Sequence, residues 1–186
     1  MALGALAGIG LAAACGFRVF VPLLVLSLAA RSGHMTLGHG FAWIASQPAL
    51  IAFAVATVLE IAGYLIPWVD HLLDAIATPT AIVAGILVTA ASLGHASPFL
   101  QWTIAILAGG GTAATFQGLT ATARAMSTLT TGGLGNPLVS TAEAGSAGVL
   151  SLLAVFVPVL AVLAVVLLLA FGVRRLLFRR PPARAS

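Results

Sequence analysis

Between Pro48 and Pro67 the chain reads PALIAFAVATVLEIAGYLIP, an apolar run with a glutamate, Glu60, inside it. Twenty residues at the helical rise cover about 30 Å, the hydrocarbon core of a bilayer. A carboxylate at that depth has no water, and a mid-bilayer charge costs about 3 kcal/mol even on the lenient insertion scale. Glu60 must therefore be neutral, face a wet cavity or meet a cation. Outside the C-terminal tail the chain offers three cationic side chains, Arg18, Arg31 and Arg124.

The rest of the chain is of the same kind. Of its 186 residues, 61% are hydrophobic and 6% charged, where a soluble domain carries about 25% charged residues. Such a chain is solvated by lipid, and its length suits about five spans with short loops in an all-α polytopic fold. Residues 1–173 read as a single transmembrane domain and residues 174–186 as a basic tail. That tail holds Arg174, Arg175, Arg179, Arg180 and Arg184. A basic cluster after an apolar helix marks a cytoplasmic end more readily than a nucleic-acid arm, so no nucleic-acid partner is expected. Cys15 is the one cysteine, which excludes an intrachain disulfide and a cysteine-based zinc site. The first seventeen residues carry no basic side chain, so no cleaved signal peptide is expected.

Five spans are expected. The first, Leu3 to Ala30, is longer than a bilayer needs and is interrupted by Gly16, Arg18 and Pro22. It is either one helix kinked at Pro22 or two half-helices meeting near Gly16-Phe17-Arg18. A loop from Arg31 to Gln47 holds His34, His39 and an interfacial Phe41-Trp43-Ile44 group. The second span carries Glu60. Apolar residues at 69, 72, 73 and 76 then predict a short helix lying at the membrane surface, with Asp70 and Asp74 on another face. The third span begins at Thr78-Pro79 and ends near Gly94. The fourth begins at Ser97-Pro98 and runs through Gly109-Gly110-Gly111 to about Thr120. A polar loop, Arg124 to Glu143, precedes a fifth span, Ala144 to Val173, which contains Pro158.

With the basic tail inside, five spans place the N-terminus outside, Arg31 inside, and Asp70, Asp74 and Glu143 outside. The string Leu6-Ala7-Gly8-x-Gly10-x-Ala12-Ala13 matches Leu107-Ala108-Gly109-x-Gly111-x-Ala113-Ala114. Two readings stand: an inverted repeat relating the first and fourth spans, with the third bridging two halves, or coincidence between two Ala/Gly-rich helices.

Several constellations carry candidate chemistry. Glu60 and Arg18 could form a buried pair, either as a relay for a proton or ion or as a salt bridge fixing helix register. Asp70 and Asp74, four residues apart beside His71, share a helix face and would need Glu143 to make a divalent-metal site; a solvated face is the simpler reading. Ser127 to Glu143 could line a pathway, with Thr130, Thr131 and Asn136 opposite the break at Arg18. Alternatively Ser140-x-x-Glu143 is a capping box and Asn136-Pro137 a turn. Gly109-Gly110-Gly111 suits close helix packing or an unwound, carbonyl-exposing stretch. No nucleophile–base pair, phosphate loop or dinucleotide fingerprint is present, so neither an enzyme nor a cofactor is expected.

Three strings resemble one family: Gly16-Phe17-Arg18-Val19-Phe20-Val21-Pro22, Glu60 with Ile66-Pro67-Trp68-Val69-Asp70-His71-Leu72-Leu73-Asp74 to Pro79, and Thr130-Thr131-Gly132-Gly133-Leu134-Gly135-Asn136-Pro137. The chain resembles the bacterial membrane family catalogued as domain of unknown function 4126, over nearly its whole length apart from the tail. That resemblance implies an integral membrane protein, and it supplies no catalytic residue. The expected function is a small transporter or channel-like protein of the bacterial inner membrane, for an ion or small polar solute, with Glu60 and Arg18 in the pathway. A lipid-handling protein, with Arg18 and Arg124 on an anionic head group, and a structural or assembly protein are the alternatives. A homo-oligomer is compatible with any of them.

Overall fold

The computed structural model describes residues 1–94 and 96–177, with the backbone alone at 67, 68, 70, 71, 173 and 175–177. Among the described residues the chain is all helical. The helices are α1 (Ala2–Cys15), α2 (Phe20–Arg31), α3 (Gln47–Gly63), α4 (Pro67–Ser92), α5 (Pro98–Thr131), α6 (Asn136–Phe156) and α7 (Pro158–Leu177), with a 3-10 turn at Ala42–Ala45. The prolines explain the punctuation. Pro22, Pro48, Pro67, Pro98, Pro137 and Pro158 all fall in the first turn of a helix, where a missing N–H breaks no intrahelical bond. Pro22 therefore starts α2 and does not kink a longer helix. Ser46 caps α3 by accepting from Ala49 N at 3.3 Å.

Pro79 is the exception, inside α4. The expected surface helix and third span are one continuous helix, because the buried stripe runs on past the proline through Ala77, Ala81, Ala84 and Val88. The expected polar loop is also helical. α5 continues to Thr131, Gly132 to Gly135 make the turn, and α6 starts at Asn136. Ser140 and Glu143 consequently sit inside α6, so they cannot cap its start. Hydroxyl density does not stop a helix here because Thr130 and Thr131 bond back to their own ladder. Thr130 Oγ1 donates to Met126 O, and Thr131 Oγ1 donates to Ser127 O.

Successive helices run in opposite directions. Gly4 lies against Ser92 O, and Gly38 N donates to Ala91 O, so both ends of the α1–α2 pair meet the C-terminal end of α4. The first span is thus two half-helices folded back as a hairpin, whose tip is Gly16 to Val19. α2 and α3 are antiparallel, with Ser27 Oγ donating to Ile44 O at one end and Phe20 N meeting Glu60 at the other. The fifth span is likewise split at Val157. Gly10 packs on both Ala154 of α6 and Ala161 of α7, beside that break. Gly172, near the far end of α7, reaches Leu119 of α5. Arg31 and Gly38 lie at the end of the bundle where α1 begins, and Asp74 lies at the end toward which α7 runs. The tail beyond residue 177 is outside the described residues, as is the Asp70 side chain.

α4 meets α1 on one side and α5 on another. The two Ala/Gly strings that match each other pack against it at one level. Cβ atoms at Gly8 and at Gly109 would both press on Thr89, and Gly85 meets Gly109 O. Small residues let backbones approach, which is how helices associate in lipid. Gly109 and Gly110 belong to a π segment, Ala105–Gly110, that stays helical and is packed, whereas the matching stretch of α1 is regular α-helix. Among the described residues three stretches are long and apolar enough to cross a bilayer, Leu72–Ser92, Pro98–Thr131 and Asn136–Phe156, and four shorter apolar helices accompany them. Side chains such as Val58, Phe99, Leu107 and Val149 are more than half exposed around the outside. Apolar surface on that scale belongs in lipid, and the fold is that of a membrane protein.

Candidate functional site

The hairpin tip opens four residues of backbone inside an apolar bundle. Gly16 must be small there, because a Cβ would lie 2.8 Å from Ala113 O and Gln117 N on α5. Freed backbone groups in lipid need partners at several kcal/mol each. Glu60 supplies two of them, with Oε1 accepting from Val19 N at 2.8 Å and Oε2 accepting from Phe20 N at 3.1 Å. A carboxylate thus closes the N-terminus of α2, where the helix dipole favours negative charge. Thr120 Oγ1 of α5 donates to Gly16 O at 3.3 Å. Arg18, 1% exposed, points from the tip to α6, where its Nη2 donates to Ser140 O at 3.1 Å and to Ser140 Oγ.

The charges converge at this tip. Arg18 Nη2 lies 3.3 Å from Glu143 Oε2. Arg124 grips the same carboxylate from α5, through Nε to Oε1 at 3.0 Å and Nη2 to Oε2. Arg124 Nη1 also lies 3.6 Å from Asp74 Oδ1 of α4. The Tyr64 ring packs between these groups, with the guanidinium carbons of Arg18 and Arg124 at 3.8 and 4.1 Å from its centroid. Three of the chain's four carboxylates therefore gather around two arginines. Arg18 Nε and Nη1 are buried without a hydrogen-bond acceptor, so the Tyr64 ring is the contact that the structure shows for that edge.

Two cavities adjoin the cluster. The larger, about 600 Å³, lies between the hairpin tip, α3 and α4, with Glu60, Tyr64, Thr80 and Gln117 as polar groups in an otherwise apolar wall. The smaller, about 400 Å³, is lined by Asp74, Thr78, Gln117, Arg124, Thr128 and Asn136. Gln117 borders both. Counted down α4 from Ser92, Asp74 lies about 27 Å from one end of a helix about 39 Å long, so the cluster sits in one half of the bundle.

Each residue singled out in the sequence can now be placed. Arg18 and Glu60 meet at the same tip without pairing: Glu60 takes the backbone beside Arg18, while Arg18 pairs with Glu143. Arg124 joins that pair. Asn136 Nδ2 donates to Thr128 Oγ1 at 3.2 Å and lines the smaller cavity. Thr130 and Thr131 are exposed and stand apart from the cluster. Asp74 and Glu143 both face Arg124, and among the described residues no three His, Cys, Asp or Glu side chains gather as metal ligands. Sequence reasoning missed Tyr64, Ser140, Thr120 and Gln117 as parts of the site. Two carried a legible signal: Tyr64 is four residues from Glu60, and Ser140 three from Glu143, each pair on one helix face.

No curated protein and no solved structure matches the chain. The family model described as Domain of unknown function (DUF4126) matches residues 5–177, which is nearly all of the described chain, and it includes the hairpin tip, α3 with Glu60 and the α5–α6 hairpin. The chain belongs to this DUF4126 family.

Proposed function

We propose that the protein is a small transport-type protein of the bacterial inner membrane, in which Glu60, Gln117 and the Arg124–Asp74 pair line the route of a proton, ion or small solute. The observation that carries this reading is the broken helix pair α1–α2, with a carboxylate at its buried tip and a cavity on either side of Gln117. Ionisable groups within an apolar bundle mark pathways more often than they stabilise, since removing charges from water is costly. Helices broken at depth, with polar ends facing a cavity, are a recurring feature of transporter binding sites. The anionic-lipid reading is weaker, because Arg18 and Arg124 are already held by Glu143 and Asp74 and have little positive charge to offer. Arg174 and the basic tail favour the end toward which α7 runs as cytoplasmic, which places Gly38 outside. A reporter fused at Gly38 should read periplasm, and a cytoplasmic signal there rejects this orientation.

The function is tested in liposomes containing an internal pH dye, under a potassium diffusion potential. The wild-type protein should carry proton flux well above that of empty liposomes, and Glu60→Gln should reduce it at least tenfold. Equal leak through both proteins removes Glu60 from any proton route.

A further inference from the structure

The larger cavity has a sign. Around the hairpin tip two guanidinium groups, Arg18 and Arg124, face three carboxylates, Glu60, Asp74 and Glu143. Both arginines make their ion pairs with Glu143 and Asp74. Among the described residues the charge in excess, with all three acids ionised, is one negative, and Glu60 is the carboxylate that holds backbone N–H groups and no arginine. A carboxylate has about four lone-pair positions, and the two N–H donors leave each oxygen of Glu60 able to accept again. Among the described residues Glu60 is also the one acid lining the larger cavity.

The remainder of the wall sets the other half of the ligand's chemistry. Phe17, Phe20 and Leu73 line the same cavity. Leu59 and Ile76, also in its wall, are more than half exposed on the outer faces of α3 and α4, so the space opens sideways toward lipid. Its volume of about 600 Å³ falls in the range of sites for drug-sized molecules. A hydrated inorganic ion would leave most of this wall unsatisfied. A carboxylic acid or phosphate ester would bring a second negative charge against Glu60.

We propose that this cavity binds hydrophobic organic cations, entering from the bilayer, with the charged centre at Glu60 and the apolar body among Phe17, Phe20 and Leu73. Aromatic side chains favour such a centre, since a ring face attracts a diffuse cation. The proposal names the substrate class of the Glu60 site and so rests on the transport reading, but its test needs no transport.

Tetraphenylphosphonium and tetraphenylborate are nearly the same shape and opposite in charge. Their binding is measured by equilibrium dialysis against the full chain in nanodiscs of zwitterionic lipid, with empty nanodiscs as the reference. Tetraphenylphosphonium should bind saturably at one site per chain, and tetraphenylborate at least tenfold more weakly. Glu60→Gln should lower phosphonium affinity at least tenfold while leaving borate binding no weaker. Because Glu60 also holds backbone, Ala77→Trp is the second variant: it fills the cavity, leaves Glu60 in place and should abolish saturable binding. Equal binding of the two ions, or wild-type affinity in both folded variants, overturns the proposal. Saturable phosphonium binding without flux in liposomes would keep this site and discard transport. Glu60-dependent proton flux without phosphonium binding would do the reverse.

Discussion

Two of the short turns that join antiparallel helices in this protein are built on opposite principles. The α5–α6 turn, Gly132 to Gly135, has no fully buried residue and satisfies itself. Gly132 and Gly133 adopt φ of 63° and 92°, and Gly135 N donates to Thr131 Oγ1 at 2.9 Å within the hairpin. The α1–α2 turn, Gly16 to Val19, is mostly buried and has no positive φ; Gly16, Phe17 and Arg18 N bond to the end of α1, and the turn draws on α3, α5 and α6 for the rest of its hydrogen bonds. A turn that water or its own helices can satisfy needs glycine and little else. A turn buried among apolar helices needs charged partners from distant parts of the chain, and those partners then form a site. The comparison predicts that substitutions should be costly at the first turn and mild at the second.

The largest effect is expected at Arg18. Removing one partner from a buried ionic network leaves the others uncompensated, which costs about 3–5 kcal/mol. Arg18→Met should lower stability by that amount in detergent unfolding, and adding Glu143→Gln should recover part of the loss. A loss below about 1 kcal/mol for Arg18→Met would mean that the cluster does not hold the tip. Next comes Glu60→Ala, which orphans the N–H groups of Val19 and Phe20 at about 1–3 kcal/mol each. Glu60→Gln retains an acceptor and should restore about half of the difference, measured in the same unfolding experiment. If Glu60→Ala and Glu60→Gln prove equally stable, the two backbone bonds contribute nothing and α2 is closed by other means.

The same contrast explains what could be read in the sequence. Helix class, lipid exposure and the importance of Glu60 and Arg18 follow from hydropathy and from the scarcity of charge. Pro98 announced where a helix begins, whereas Pro79, read as the start of the third span, lies inside α4, and Pro22 and Pro158, read as lying inside spans, begin helices. Two half-helices stood among the readings of the first span, but the fold-back of α1 on α2 was not legible until Gly38 is seen beside Ala91. The pairing of Arg18 with Glu143 was hidden for a related reason: the residues are far apart in sequence, and Glu143 read as the end of a polar loop. Thr130 and Thr131 drew attention through hydroxyl density, yet hydroxyls that bond to their own helix need no partner elsewhere. Ser140, one of four hydroxyl side chains in α6, proved to be the one that meets Arg18.

Glycine substitutions bring the two turns to the same scale. At Gly16 an added Cβ meets backbone atoms of α5 at 2.8 Å, and neither helix can move without disturbing Arg18 and Thr120. Overpacking of this kind costs about 1–3 kcal/mol, and Gly16→Ala should also lower any flux that depends on Glu60, because the tip carries both backbone groups that Glu60 holds.

The smallest effect is expected at Gly133, where no atom lies within 4 Å of an added Cβ and the cost arises from φ alone. A left-handed alanine costs about 1 kcal/mol, so Gly133→Ala should lower stability by that much and leave flux unchanged. Asparagine tolerates the left-handed region better than other residues, and Gly133→Asn should therefore recover much of the loss. Thermal unfolding of the two variants beside Gly16→Ala and Gly16→Asn decides the matter. At a turn limited by φ, asparagine is milder than alanine; at a turn limited by space, the larger asparagine is worse. If Gly133→Asn is as damaging as Gly16→Asn, the α5–α6 turn is packed against a partner in the membrane and the two turns are of one kind.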